Sequence, residues 1–329
     1  MRLLARRCGL APRTERDLDF VDANGVTFRV EDRGRGEPLV LLHGFTGAIE
    51  SWPGIRDDLT SDRRVIAIDL IGHGESGAPD DPRRYAFHKA LDDLAAIVAK
   101  RGVQHASWLG YSMGGRLALG LALRFPHLVS SLILESATAG IADAQERATR
   151  RMRDATLAQQ IESGGIERFV EAWERLPMWE SQRLLPAVVL DRQRQVRLRN
   201  RAIGLANSLR GMGQGSQPSL WEQLGEVRVP TLLIVGAHDR KFYEIGELMR
   251  SRIAAASLLV VPAAGHAVHL ERPELYVGAI RAFLSLHNEG EERGGRNGEE
   301  VEEFEEFEES EESGSKNILV EKGFFTRSG

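Results

Sequence analysis

Apolar residues along the chain fall into two patterns. Six short, nearly continuous apolar runs occupy residues 38–42, 64–68, 106–109, 132–134, 230–235 and 258–261. Runs of that length, buried on both faces and separated by helical segments, predict a mainly parallel sheet covered on both sides. Four stretches, 90–99, 115–124, 245–254 and 273–286, instead space their apolar residues by three and four, which predicts helices, with Pro273 suited to a first turn. Near the start, residues 19–22 and 26–30 flank Ala23-Asn24-Gly25, a hairpin signal in which Asn-Gly supplies positive φ. Between Glu135 and Val229 the pattern is helical with no convincing strand, so this segment is expected to be an inserted helical cap. The expected organisation is an N-terminal extension over 1–17, a core over 18–136 and 226–287, a cap over 137–225 and a tail over 288–329.

Charge changes the picture at one place. The net charge is -5 over 329 residues, but residues 289–312 hold thirteen Glu against only Arg293 and Arg296. With Val301, Phe304 and Phe307 as its only large apolar residues, that run cannot bury enough surface to offset its ordering entropy, and a disordered tail is expected. The remaining body is mildly basic and lacks an aromatic-interleaved basic stripe, which argues against a nucleic-acid partner. No apolar run reaches the roughly 20 residues of a membrane helix, and the opening segment is too broken for a signal peptide. A cytoplasmic protein without membrane attachment is expected. The single Cys8 excludes an intrachain disulfide or a thiolate cluster. His73, His88, His105 and His127 show no ligand spacing, so neither a metal nor another cofactor is expected. Oligomeric state leaves no mark in the sequence.

Chemistry gathers at the ends of the predicted strands. Gly110-Tyr111-Ser112-Met113-Gly114 follows an apolar strand and opens a helix, the context of a nucleophile elbow, where flanking glycines allow a turn too sharp for side chains. Asp239 ends a later strand and His266 follows the last one. The order Ser, Asp, His is that of a catalytic triad, in which His266 takes the Ser112 proton and Asp239 orients the imidazole. The plainer alternative makes Asp239 a helix cap and His266 a buried hydrogen-bonding residue; the ordered conjunction favours the triad. His43-Gly44-Phe45 follows the strand at 38–42, so the backbone N–H groups of Phe45 and Met113 are candidates for an oxyanion hole. The Gly-rich loop from Asp69 to Gly77 lacks phosphate-loop spacing and reads as structural. Arg116 lies four residues after Ser112 and shares its helix face, where it either holds a substrate carboxylate or pairs with an acidic loop residue.

Over residues 18–287 these motifs resemble the α/β-hydrolase superfamily. A narrower resemblance rests on His43-Gly44-Phe45-Thr46-Gly47 with Trp52, the elbow extended to Gly115-Arg116, Glu135-Ser136-Ala137, Ser208-Leu209-Arg210-Gly211-Met212-Gly213 with Gln217-Pro218-Ser219-Leu220-Trp221, Asp239-Arg240-Lys241-Phe242, and Gly265-His266-Ala267-Val268-His269-Leu270-Glu271. Together they are similar to the 2-succinyl-6-hydroxy-2,4-cyclohexadiene-1-carboxylate synthase family of menaquinone biosynthesis. The resemblance implies a carbon–oxygen lyase that expels pyruvate from an enolpyruvyl tricarboxylate, with Ser112 acting as a base. It also implies a small-molecule tricarboxylate partner, with Arg116, Tyr111, Arg150 and Arg194 as polar ligands and Trp173 as a pocket wall. Arg192 and Arg197 compete with Arg194 for the same position. Thr138-Ala139 departs from the Ser-Pro pair the resemblance leads one to expect before Gly140. Two other functions share the motifs: a carboxylesterase or carbon–carbon bond hydrolase that forms an acyl-enzyme, and a ligand-sensing protein on a hydrolase scaffold. Arg116 discriminates, since an esterase for neutral substrates has no use for a cation facing Ser112.

Overall fold

The structure is a computed structural model that describes residues 18–292. The strands are β1 (Leu18–Ala23), β2 (Val26–Arg33), β3 (Pro38–Leu42), β4 (Arg64–Ile68), β5 (Ala106–Tyr111), β6 (Val129–Glu135), β7 (Thr231–Gly236) and β8 (Ala256–Val261). They form one sheet in the order β1-β2-β4-β3-β5-β6-β7-β8. Only β1–β2 and β2–β4 pair antiparallel; the five remaining pairings are parallel. Asn24 and Gly25 turn the opening hairpin at φ 49° and 79°, a conformation that favours this dipeptide.

The helices are α1 (Ile55–Leu59), α2 (Phe87–Lys100), α3 (Met113–Arg124), α4 (Ala144–Trp173), α5 (Ala187–Leu198), α6 (Ala202–Met212), α7 (Arg240–Arg250), α8 (Val268–Glu271) and α9 (Pro273–Glu292). Alternation along the central strands explains the layers. Val40 and Leu42 point into a core shared with Leu94 of α2 and Leu117 of α3, while Leu39 and Leu41 point into a second core with Ile55 of α1 and Ile280 of α9. Both faces of the sheet are therefore buried, which is why its strands read as continuous apolar runs.

Between β6 and β7, helices α4, α5 and α6 with two 3₁₀ turns occupy the segment expected to be the cap, and a third apolar cluster built on Ile161, Phe169, Val170 and Leu205 joins α4 to α6. Helix α4 breaks at Gly165, whose φ of 80° and ψ of 170° lie outside the helical region. The entry and exit of the segment are tied together: Leu220 N–H donates to the Ala139 carbonyl at 2.8 Å, and Trp221 Nε1 to the Gly140 carbonyl at 2.8 Å.

Two boundaries differ from expectation. Helix α7 starts at Arg240 rather than at residue 245, because Asp239 caps it, and α9 continues to Glu292, past the expected end of the core at 287. The N-terminal extension and the acidic stretch beyond Glu292 lie outside the described residues. Among the described residues, no helix is long and apolar enough to cross a membrane.

Candidate active site

The elbow forms because the helix must start immediately beneath the end of its strand. A Cβ on Gly110 would lie 2.5 Å from the Gly114 carbonyl carbon, and one on Gly114 would collide with the Leu42 carbonyl oxygen. Only glycine fits at either position. Ser112, held between them at φ 50° and ψ -103°, takes a conformation that costs free energy for an L-residue and projects its hydroxyl at the carboxyl edge of the sheet.

Two other loops meet it there. His266, after β8, places Nε2 3.2 Å from Ser112 Oγ, and its Nδ1 lies 2.6 Å from Asp239 Oδ2 after β7. Asp239 also accepts the Phe242 N–H through Oδ1 at 3.4 Å. The plain capping role and the triad geometry thus belong to the same carboxylate, one oxygen to each. His266 is 2% exposed and packed edge-on against Phe242 and Trp179, so its ring is sterically fixed. Glu271 holds the loop that carries it, accepting the N–H groups of Gly265 at 2.8 Å and Ala267 at 3.4 Å.

The loop after β3 passes beside the elbow. A Cβ at Gly44 would lie 2.7 Å from the Tyr111 ring, so the loop that carries Phe45 packs directly against the residue preceding the serine. Met113 is the first residue of α3, and its N–H is among those that a helix leaves without an internal acceptor. His43 anchors this loop: Nδ1 donates to the Gly44 carbonyl at 2.8 Å and Nε2 accepts from Leu70 N–H at 3.0 Å, with burial pushing its pKa down to about 4. Asp69, buried beneath the site, accepts the N–H groups of Ile49 at 2.7 Å and Glu75 at 2.9 Å, and burial pushes its carboxyl up to about 6. The Asp69–Gly77 loop is structural in this fold, as its spacing led one to expect.

The expected substrate ligands lie in four places. Arg116 is 5% exposed; its Nη1 donates to the Met212 carbonyl at 2.9 Å and Gln217 Oε1 at 2.5 Å. It forms no ion pair among the described residues. Burial first, and then the neighbouring charge of Arg150, push its pKa down to about 10. Arg150 binds Asp154 at 2.7 Å and Gln214 at 2.8 Å. Trp173 packs edge-on to Phe45 at 5.4 Å between ring centroids, beside Phe169 and Trp179. Arg194 and Arg197, on α5 of the cap, share Glu174, at 2.5 and 3.0 Å. Tyr111 is buried between His266 and His269, at 5.6 and 4.6 Å, and burial followed by the charge of Glu135 raises its pKa well above the usual phenol range.

One feature is absent from the sequence expectations. Glu135, fully buried at the end of β6, accepts His269 Nδ1 at 2.8 and 2.9 Å and the His269 backbone N–H at 3.1 Å. Both residues stand in the quoted motifs, but 134 positions separate them and nothing local pairs them.

With the geometry established, comparison with known proteins places the chain. Residues 37–273 match the family profile described as the alpha/beta hydrolase fold. A Bacillus subtilis (strain 168) protein provisionally named 2-succinyl-6-hydroxy-2,4-cyclohexadiene-1-carboxylate synthase is 44% identical over 270 residues, covering 82% of this chain and 98% of that protein. The synthase of that name from Serratia proteamaculans (strain 568) is 30% identical over 251 residues, 75% of this chain and 92% of its own. The chain belongs to this synthase family of α/β-hydrolases. A solved structure, MenH from S. aureus, shares 34% identity and a TM-score of 0.76, covering 79% of this chain and 98% of its own. Both the fold class and the narrower resemblance drawn from the motifs therefore hold for this member of the synthase family.

Proposed function

We propose that the protein eliminates pyruvate from 2-succinyl-5-enolpyruvyl-6-hydroxy-3-cyclohexene-1-carboxylate to give 2-succinyl-6-hydroxy-2,4-cyclohexadiene-1-carboxylate. Membership of the synthase family names the reaction, and one observation in the site carries it. Arg116 is a buried guanidinium one helical turn from Ser112, and no carboxylate among the described residues forms an ion pair with it. A buried charge without a counter-ion is costly, and a substrate carboxylate removes that cost. A neutral ester would not.

The geometry performs the steps in order. His266, oriented by Asp239, takes the Ser112 hydroxyl proton as the serine oxygen removes the ring proton next to the succinyl ketone. The C–H electron pair moves into an enolate, whose oxygen accepts hydrogen bonds from the Phe45 and Met113 amides. Return of that charge re-forms the ketone, makes a new ring double bond at the deprotonated carbon, moves the existing one by one position and breaks the carbon–oxygen bond to the enolpyruvyl group. The leaving enolpyruvate takes up one proton at carbon and departs as pyruvate, which restores the site. No acyl-enzyme forms, because the substrate offers an acidic C–H rather than an ester.

Pyruvate release coupled to NADH oxidation by lactate dehydrogenase tests this directly. Ser112→Ala should lower turnover by about a hundredfold or more with the fold unchanged. Arg116→Ala should raise KM by about tenfold, in line with the loss of one charged hydrogen-bonding partner. Brisk hydrolysis of p-nitrophenyl acetate with no pyruvate from the enolpyruvyl substrate would overturn the assignment.

A further inference from the structure

Three rings restrict the rotation of His266: the centroids of Phe242, Tyr111 and Trp179 stand 4.6, 5.6 and 5.8 Å from its own. How far the imidazole reaches toward Ser112 depends instead on the backbone that carries it. Gly265 and Ala267 flank His266 in the chain, and the loop is buried from Ala264 to Ala267. Both flanking N–H groups go to Glu271, Oε2 accepting Gly265 at 2.8 Å and Oε1 accepting Ala267 at 3.4 Å. A buried N–H needs an acceptor, and here one carboxylate serves two.

Gly265 is tightly confined. A Cβ there would collide with Ser181 Oγ of the cap and lie 3.3 Å from Glu271 Oε1, so the loop is gripped between the 3₁₀ turn over Pro177–Leu184 and the acid. The Ala264 carbonyl accepts the His238 N–H at 2.8 Å, which ties the same loop to the one that carries Asp239. Reach matters because His266 Nε2 already stands 3.2 Å from Ser112 Oγ. That is the long end of the hydrogen-bonding range, and a slip of about 1 Å in a reacting group can cost about a hundredfold in rate. Closing the short helix α8 is the plainer role for Glu271, since its own N–H donates to the Ala267 carbonyl at 3.1 Å. The Gly265 bond goes further: it is the shorter of the two and reaches past α8 to the far side of His266, where closing that turn needs nothing.

We propose that Glu271 is a positioning residue that sets the reach of His266 toward Ser112 through the Gly265 and Ala267 N–H groups. The turnover it supports is that of the lyase reading, on which this assignment rests; the positioning itself belongs to the serine–histidine pair.

Labelling of Ser112 by diisopropyl fluorophosphate reads that pair without the enolpyruvyl substrate: the serine oxygen attacks phosphorus, fluoride leaves and His266 takes the hydroxyl proton. Glu271→Ala should slow labelling by about thirtyfold, and Glu271→Gln, which keeps one acceptor oxygen, by about fivefold. With the enolpyruvyl substrate the same order should appear in kcat while KM stays within about threefold, because Glu271 acts through His266 rather than on the substrate. Val98→Ala, a buried truncation on α2, lowers stability and should label at the wild-type rate. Wild-type labelling in Glu271→Ala, or a slowing that Val98→Ala matches, would overturn the proposal. If Glu271→Ala does not fold, Glu271→Gln decides, and labelling at the wild-type rate overturns it. Failure of the lyase assignment looks different: the wild type releases no pyruvate, yet labelling remains slowed in the Glu271 variants.

Discussion

Two histidine–carboxylate pairs sit three residues apart at the same edge of the sheet, on either side of Tyr111. In one, His266 contacts a single oxygen of Asp239 and turns its other nitrogen to Ser112. In the other, Glu135 grips His269 through both oxygens and its backbone N–H, and the ring is packed against Trp52 at 4.8 Å and Tyr111 at 4.6 Å. Residue type does not separate a reactive pair from a fixed one. The difference lies in what the second ring nitrogen meets and in how many bonds hold the acid. Asp239 keeps 15% of its side chain exposed and shares its oxygens between a helix end and the imidazole, while both oxygens of Glu135 turn to His269 in the interior.

The sharpest way to break this contrast is to delete each imidazole. His266→Ala should lower the pyruvate-release rate by about a hundredfold or more while the melting temperature barely moves. His269→Ala should act mainly on stability, because it leaves Glu135 buried without its partner; a cost of about 3–5 kcal/mol is typical of such a loss. For a chain of this size that corresponds to a fall of about 10 °C in melting temperature. Equal loss of rate in both variants would show that the second pair takes part in the chemistry.

A third class of histidine extends the comparison, with a smaller expected effect. His43 and His73 are buried and hydrogen-bond to the backbone, with no carboxylate in direct contact among the described residues, and burial lowers their pKa values to about 4 and about 3. The unfolded chain binds protons at these positions near pH 6.5, so their stabilising effect is present above that pH and is lost on acidification. Asp69 opposes them: its raised pKa of about 6 favours the folded state at low pH and that contribution fades as pH rises from about 4 to 6. Two histidines against one aspartate leave about one net proton, so stability should fall by about 1 kcal/mol per pH unit between pH 6 and pH 4. Urea unfolding midpoints across that range measure the slope, and His43→Gln should flatten it. A slope of opposite sign would mean that Asp69 dominates.

Much of this was readable before any coordinates. The apolar runs at 38–42 and 64–68 announce strands because both of their faces are buried, and the elbow announces itself because only glycine survives beside Ser112. The start of α7 was hidden by Arg240 and Lys241, whose polarity masks a first turn that Asp239 caps. The pairing of Glu135 with His269 depends on β6 and α8 meeting across the sheet edge, which no local spacing encodes. Arg116 is legible as a residue near the serine, but that it forms no ion pair among the described residues is a property of the packed interior alone.

The twin hydrogen bonds that fasten Ala139 to Leu220 and Gly140 to Trp221 bring the two ends of the insertion together at one place on the scaffold. Because its two ends leave the scaffold side by side, the whole lobe could be exchanged for one of different length or lining without moving a strand or the elbow. Part of the selectivity is thereby inherited on a piece of the polypeptide separate from the chemistry, and a new substrate range is reached by grafting rather than by rebuilding.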